Sequence, residues 1–345
     1  MNKSVFLGAV AAASVGATGI AFADGHSGST LATVQERGSL NCGVTTGVPG
    51  FAEPDSDGVW QGFDVAVCRA VAAGVLGDPT AVTFVPTTGK TRFTALASGE
   101  IDMLARNTTW TFSRDTDLKF DFVGVNYYDG QGFMVPADLG VSSATELDGA
   151  TVCIQTGTTT ELNLADFFRV NGMSYEPVPI ETGAEAVQQY LAGACDVYTT
   201  DRSALAAQRA GFEDPDGSVI LPEVVSKEPL GPLVRHGDSE WGDIVRWTLN
   251  ALITAEELGV TKGNVEEMAA APGDNPEINR LLGTEGELGA MIGLEADWAK
   301  NAIAAVGNYG EVFDTNIGES TAIGLARGLN AQYTDGGLIY SPPFR

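Results

Sequence analysis

Histidine is almost absent from this chain. Only His26 and His236 occur in 345 residues, which argues against a histidine-based triad and against a multi-histidine metal site. None of the four cysteines forms a C-x-x-C pair, so zinc and thioredoxin-like chemistry have no support. No phosphate-binding glycine fingerprint is present. Basic residues are scarce, 19 Lys and Arg against 45 Asp and Glu. The resulting formal charge of −26 argues against nucleic acid or an anionic membrane as partner. Apolar runs long enough to matter for membranes are confined to the first residues.

That first run reads as a targeting segment. Lys3 supplies a positive start, Val5–Ala23 is apolar and rich in small residues, and Ala21-Phe22-Ala23 has the form of a signal-peptidase site. The segment 1–23 is therefore expected to be cleaved, with a mature chain starting near Asp24. No cysteine at the cleavage site offers a lipid anchor. About 320 remaining residues suggest two domains. An exported chain favours disulfides. Of the three possible connectivities, pairing within each lobe, Cys42–Cys68 and Cys153–Cys195, is the simplest. Acidic stretches at Glu53–Gly58 and Asp214–Gly217 have incomplete calcium-loop spacing and read as turns.

What is present is a repeat. Lys90–Leu104 (KTRFTALASGEIDML) and Ala184–Tyr198 (AEAVQQYLAGACDVY) align when Gly99 is set on Gly193. Phe93 then falls on Val187, Leu96 on Tyr190, Ala97 on Leu191 and Asp102 on Asp196. Each copy reads as a short amphipathic helix, a glycine turn and a buried strand. Before each copy comes a strand carrying a cysteine, Leu40–Val44 or Ala150–Gln155, that leads into a Thr/Gly turn. Helices are expected at Phe63–Leu76 and Glu161–Val170. Val82–Val85 is a further strand. Strand–helix alternation predicts α/β lobes, each with a mainly parallel sheet flanked by helices.

Two extended segments, Tyr127–Val135 and Val224–Val234, are expected to connect the lobes as a two-crossing hinge. A helix at Trp241–Leu258 then returns to the first lobe. The expected division is 24–128 with 228–263 for a discontinuous first lobe, 129–227 for an inserted second lobe, and 264–345 for an extension packed on the body. Within that extension, helical patterns occur in Leu288–Val306 and Gly324–Tyr333.

Polar residues after the two copies suit a zwitterion. Arg114 follows the first; its planar guanidinium can donate two parallel bonds to a carboxylate. Asp201 follows the second and can accept from an ammonium. Asn107, Thr109, Thr158 and Thr159 lie near strand ends, where open α/β sheets place ligands. The blander alternatives are a surface ion pair of Arg114 with Asp115 or Asp117, and a helix cap for Asp201.

GEIDMLARNTTWTFSRDTDLKFDF, CIQTGTTTE and the segment ending in TTD resemble the ligand-binding stretches of family 3 periplasmic solute-binding proteins, the amino-acid receptors of ABC importers. The ending, with DWAKNAIAAVGNYGEVFDTNIG, RGLNAQY and GGLIYSPPFR, resembles the general L-amino-acid branch. The resemblance implies the type II periplasmic-binding fold, no catalysis, no cofactor and no metal. It also implies periplasmic location, a monomer, and an inner-membrane permease with its ATPase as partners. By position it makes Arg114 the carboxylate-binding arginine and Asp201 the ammonium-binding acid. Thr109, Thr158 and Thr159 become carboxylate donors, and Asn107 a further contact. Thr45 matches a position that is acidic in receptors for basic amino acids. Gly89 stands where many relatives carry an aromatic clamp. These two departures imply a roomy pocket of broad specificity. An enzyme on the same fold would need a general acid beyond the clamp, and no separate candidate is visible.

Overall fold

The computed structural model describes residues 29–345; the targeting segment 1–23 lies outside them. Two five-stranded sheets share one plan. The first runs Val82–Thr87, Leu40–Thr45, Met103–Leu104, Leu233–Arg235, Phe120–Phe122, and the second Glu176–Ile180, Thr151–Gln155, Val197–Asp201, Gln131–Pro136, Ser218–Ile220. In each, three strands are parallel and the other two run antiparallel to their neighbours. Pro86 in one sheet and Pro177 and Pro179 in the other sit in edge strands, where a missing N–H costs no central ladder bond. The architecture is the expected two-lobed α/β fold with two mainly parallel sheets.

The repeat is real at atomic level. Helices Arg92–Ser98 and Gly183–Leu191 are each followed by a glycine in the left-handed region, Gly99 at φ 79° and Gly193 at φ 70°, a conformation that glycine adopts without a Cβ penalty. The aligned aspartates do one job in both lobes. Asp102 accepts from the Asn41 amide at 2.7 Å, and Asp196 accepts from the Thr151 amide at 2.8 Å. Each pins the start of its sheet's second strand, so neither is free for ligand work.

The disulfides join Cys42 to Cys68 and Cys153 to Cys195, with Cα separations of 6.1 and 5.6 Å. Cys42 and Cys153 are both the third residue of their strands, but one bridge ties down a helix and the other a turn. Phe63–Leu76 is helical as expected and almost wholly buried. Ser239–Glu257 buries Trp241, Ile244, Val245, Leu249, Leu252 and Ile253 against the first sheet's core.

Between the sheets, Tyr127–Asp129 pairs antiparallel with Glu228–Leu230. Gly231 crosses directly over the Gly124 carbonyl, leaving no room for a Cβ. Residues after 264 wrap the first sheet's side. Helix Trp298–Val306 lies in its core, Tyr309 and Phe313 meet Phe63 edge-on at 5.8 and 6.3 Å, and Phe344 stacks on Trp298. Gly324–Tyr333 is not a helix. Gly328–Asn330 makes a 3₁₀ turn and a second one starts at Tyr333, because Gly324 and Gly328 take positive φ and Arg327 is drawn out to Glu256 at 2.9 Å. The helix Tyr309–Asn316, closed by an Asn308–Glu311 capping box, was not apparent from the sequence pattern.

Candidate functional site

The two sheets aim the carboxyl ends of their parallel strands at a common cleft. Thr45, Gln155 and Asp201 are each the last residue of a strand, and Arg106–Thr109 follows shortly after Met103–Leu104. Thr45, Asn107, Thr109, Thr158, Thr159 and Asp201 all line this cleft, which encloses about 550 Å³ of empty space including its open mouth. Arg114 is buried but does not reach the lining. Its Nη1 donates to the Thr109 carbonyl at 2.8 Å and its guanidinium lies 5.2 Å from the Phe93 ring centre. Neither Asp115 nor Asp117 pairs with it; Asp115 accepts from Trp110 instead.

Asp201 occupies the N-cap position of Arg202–Ala210 yet makes no capping bond. Only 8% exposed, its carboxylate has no hydrogen bond to a described residue. Burial, followed by the neighbouring Asp129 and Glu228 charges, holds its carboxyl well above the usual range. A cation delivered into the cleft would therefore meet an acid that has no hydrogen-bond or ion-pair partner among the described residues.

The second lobe contributes a helix N-terminus. Thr158 caps Thr159–Val170: its hydroxyl accepts from the Glu161 amide at 3.3 Å and donates to the Gln155 carbonyl at 2.7 Å. Its proton is thus already committed, and the free first-turn amides are the better anion donors. Asn107 is held at φ 38° by donating its amide to Asp64 at 3.1 Å, and both polar atoms of its side chain are buried without a partner. Burial pushes Asp64 up to about 6.

Three groups were missed by the sequence reading. Arg92 and Arg106 line the cleft, both buried. Arg92 donates to Thr108 and, across the cleft, to the Gly157 carbonyl at 3.2 Å. Burial and the other two arginines lower Arg92, while burial and Arg114 bring Arg106 down to about 10. Burial alone brings Arg114 down to about 10. The available signal was an arginine on the apolar face of the first repeat, where Ala186 stands in the second. Glu228 comes from the hinge ribbon. Its carboxylate accepts from Thr109 of the first lobe, from Thr159 of the second at 2.8 Å, from Asn163 at 2.7 Å and from Ser226 at 2.6 Å. An acid standing immediately before the apolar run PLGPLV was its only trace.

The lobes touch. Gly89 and Gly157 face each other so closely that a Cβ on Gly89 would lie 2.6 Å from the Thr156 carbonyl oxygen. Thr88 reaches Glu181 at 3.3 Å, and the Thr109 and Thr159 hydroxyls lie 3.3 Å apart. The space beside Gly89 is filled by the opposing turn and does not widen the pocket.

The family described as bacterial extracellular solute-binding proteins, family 3, matches residues 40–262. The glutamate/glutamine/aspartate/asparagine-binding protein BztA of Rhodobacter capsulatus is 65% identical over 345 residues, covering 100% of both chains. The general L-amino acid-binding periplasmic protein AapJ of Rhizobium johnstonii is 54% identical, covering 99% of this chain and 100% of its own. A solved periplasmic binding protein of an ABC transporter from Brucella ovis, with glutathione bound, superposes with a TM-score of 0.89 at 55% identity over 92% of this chain and 100% of its own.

Proposed function

The chain belongs to the bacterial extracellular solute-binding proteins of family 3, and on that premise we propose that it captures L-amino acids with broad specificity and delivers them to an ABC importer by closing its lobes. One observation carries the reading. An acid and a cation, Asp201 and Arg106, line one cleft without an ion pair between them or to any other described residue. The ammonium of an amino acid supplies the partner that Asp201 lacks, and an acceptor on its side chain supplies one for Arg106; uncompensated buried charge is what a closed cleft must avoid.

In this mechanism Asp201 takes the ammonium. The α-carboxylate meets the Thr109 and Thr159 hydroxyls and the first-turn amides of Thr159–Val170, with Arg114 behind Thr109 as the positive backing. Glu228 accepts a hydrogen bond from each of those two hydroxyls. Asn107 and Thr45 face the rest of the ligand, and Thr158 shapes the helix N-terminus. Because these groups come from both lobes, the site is complete only on closure, with water excluded and the pairing strengthened. Names of the relatives support amino acids as the ligand class. We further propose cleavage before Asp24, release into the periplasm as a monomer, and docking on a permease driven by its ATPase. The lobes in this reading are 24–128 with 228–263, and 129–227, with 264–345 as an extension on the first.

Calorimetric titration of the mature protein with a panel of L-amino acids tests this. Several ligands bind without turnover, and Asp201→Ala and Arg114→Ala each cost about 3–5 kcal/mol, more than a hundredfold in affinity. Near-native binding by either variant, with its melting transition intact, refutes the assigned role.

A further inference from the structure

We propose that Arg106 reads the side chain of the bound amino acid and favours those ending in a carboxylate or carboxamide. This rests on the amino-acid reading above, narrows it to the side-chain types for which the Rhodobacter capsulatus relative is named, and adds to it the residue that reads them.

The cleft has two poles. Thr109 bridges to Leu230 of the hinge ribbon, and Asp201 pairs with Gln131 beside it. The groups for the ammonium and α-carboxylate therefore gather at the hinge. Thr45 and Thr87 are register partners at the outer edge of the first sheet, and Gln155 ends the next-to-edge strand of the second sheet. Side chains of a bound amino acid must project toward that outer pole once the other two groups are held.

Arg106 is tied to that pole. Its Nε donates to the Thr87 carbonyl at 3.3 Å, and Thr87 is the register partner of Thr45. Its two terminal nitrogens make no hydrogen bond to a described residue, although the side chain is 7% exposed and lines the cleft. A buried fork with two free donors is matched by a planar carboxylate. A carboxamide satisfies it through its single oxygen. Gln155 lines the same cleft from the other lobe, and its side chain holds only a long 3.5 Å contact from the Tyr198 hydroxyl. Its amide can present either the oxygen or the nitrogen end, which lets one site take both side-chain types. An aliphatic side chain would displace water and leave Arg106 unpaired.

Titration calorimetry with L-glutamate, L-glutamine, L-alanine and L-leucine, on the wild-type protein and on Arg106→Gln and Arg106→Lys, tests the assignment. Wild-type protein binds glutamate and glutamine more tightly than alanine and leucine. In Arg106→Gln the ratio of glutamate to alanine association constants falls by about 30-fold or more, because the paired charge is lost only for the acidic ligand. Arg106→Lys, which keeps the charge but not the fork, gives a smaller fall and decides the matter if the glutamine variant does not fold. Equal losses across the panel, or an unchanged ratio, overturn the proposal and leave Arg106 a structural residue. Wild-type protein that binds none of the four refutes the receptor reading itself.

Discussion

Gly89→Ala separates closure from folding. Gly89 has an ordinary backbone conformation, so alanine brings no backbone strain. Its new methyl would meet the Thr156 carbonyl oxygen at 2.6 Å and Thr158 Cγ2 at 3.3 Å. Both neighbours belong to the other lobe, and the first is backbone that cannot rotate away. The collision therefore exists only when the lobes are shut. Relief requires a slight opening that also stretches the bond from Arg92 to the Gly157 carbonyl, now 3.2 Å. Overpacking of this kind costs about 1–3 kcal/mol. Charged to the closed state alone, it weakens ligand affinity by roughly 5- to 150-fold. Titration calorimetry measures the affinity, and small-angle scattering with and without saturating ligand measures the compaction. Wild-type affinity together with wild-type compaction would refute the claim that this backbone contact forms only when the lobes shut.

Two other perturbations address the supporting structure. Asp64 is buried, and its folded-state value of about 6 exceeds the ordinary 3.8. The folded protein thus holds the proton more tightly, and stability falls as pH rises from about 4 to about 6. That gap corresponds to about 3 kcal/mol. Asp64→Asn should therefore gain on wild type by a few kcal/mol, of the order of that gap, between pH 4 and pH 7; urea midpoints that shift in parallel at the two pH values contradict this. Asn330 exchanges two hydrogen bonds with the hinge residue Tyr128, at 2.7 and 3.1 Å. Asn330→Ala should lower the urea-unfolding free energy by about 1–3 kcal/mol, and an unchanged midpoint would mean that the extension does not brace the hinge.

Local features were legible in the chain. The helix–glycine–strand units could be read because their signals, apolar spacing and a glycine that alone tolerates positive φ, act within a few residues. The identical pattern around Asp102 and Asp196 was visible too, but not its purpose. Each aspartate acts on an amide 61 or 45 residues earlier, a distance over which spacing carries no information. Gly324–Tyr333 misled for the complementary reason: its apolar rhythm suits a helix, while its glycines and the pull of Glu256 on Arg327 prevent one.

The order of residues alone was enough for the two α/β lobes, the cysteine positions and the set of polar residues from which a zwitterion site can be built. Folding decided which of them line the cleft. Arg92, Arg106 and Arg114 carry the same charge on the same long side chain, and only the packing of Phe93, Thr87 and Thr109 around them turns two into the cleft and holds the third behind it. Glu228 lies far from Thr109 and Thr159 along the chain. The two crossings of the hinge bring all three together, because a carboxylate between two lobes is defined by where those lobes meet.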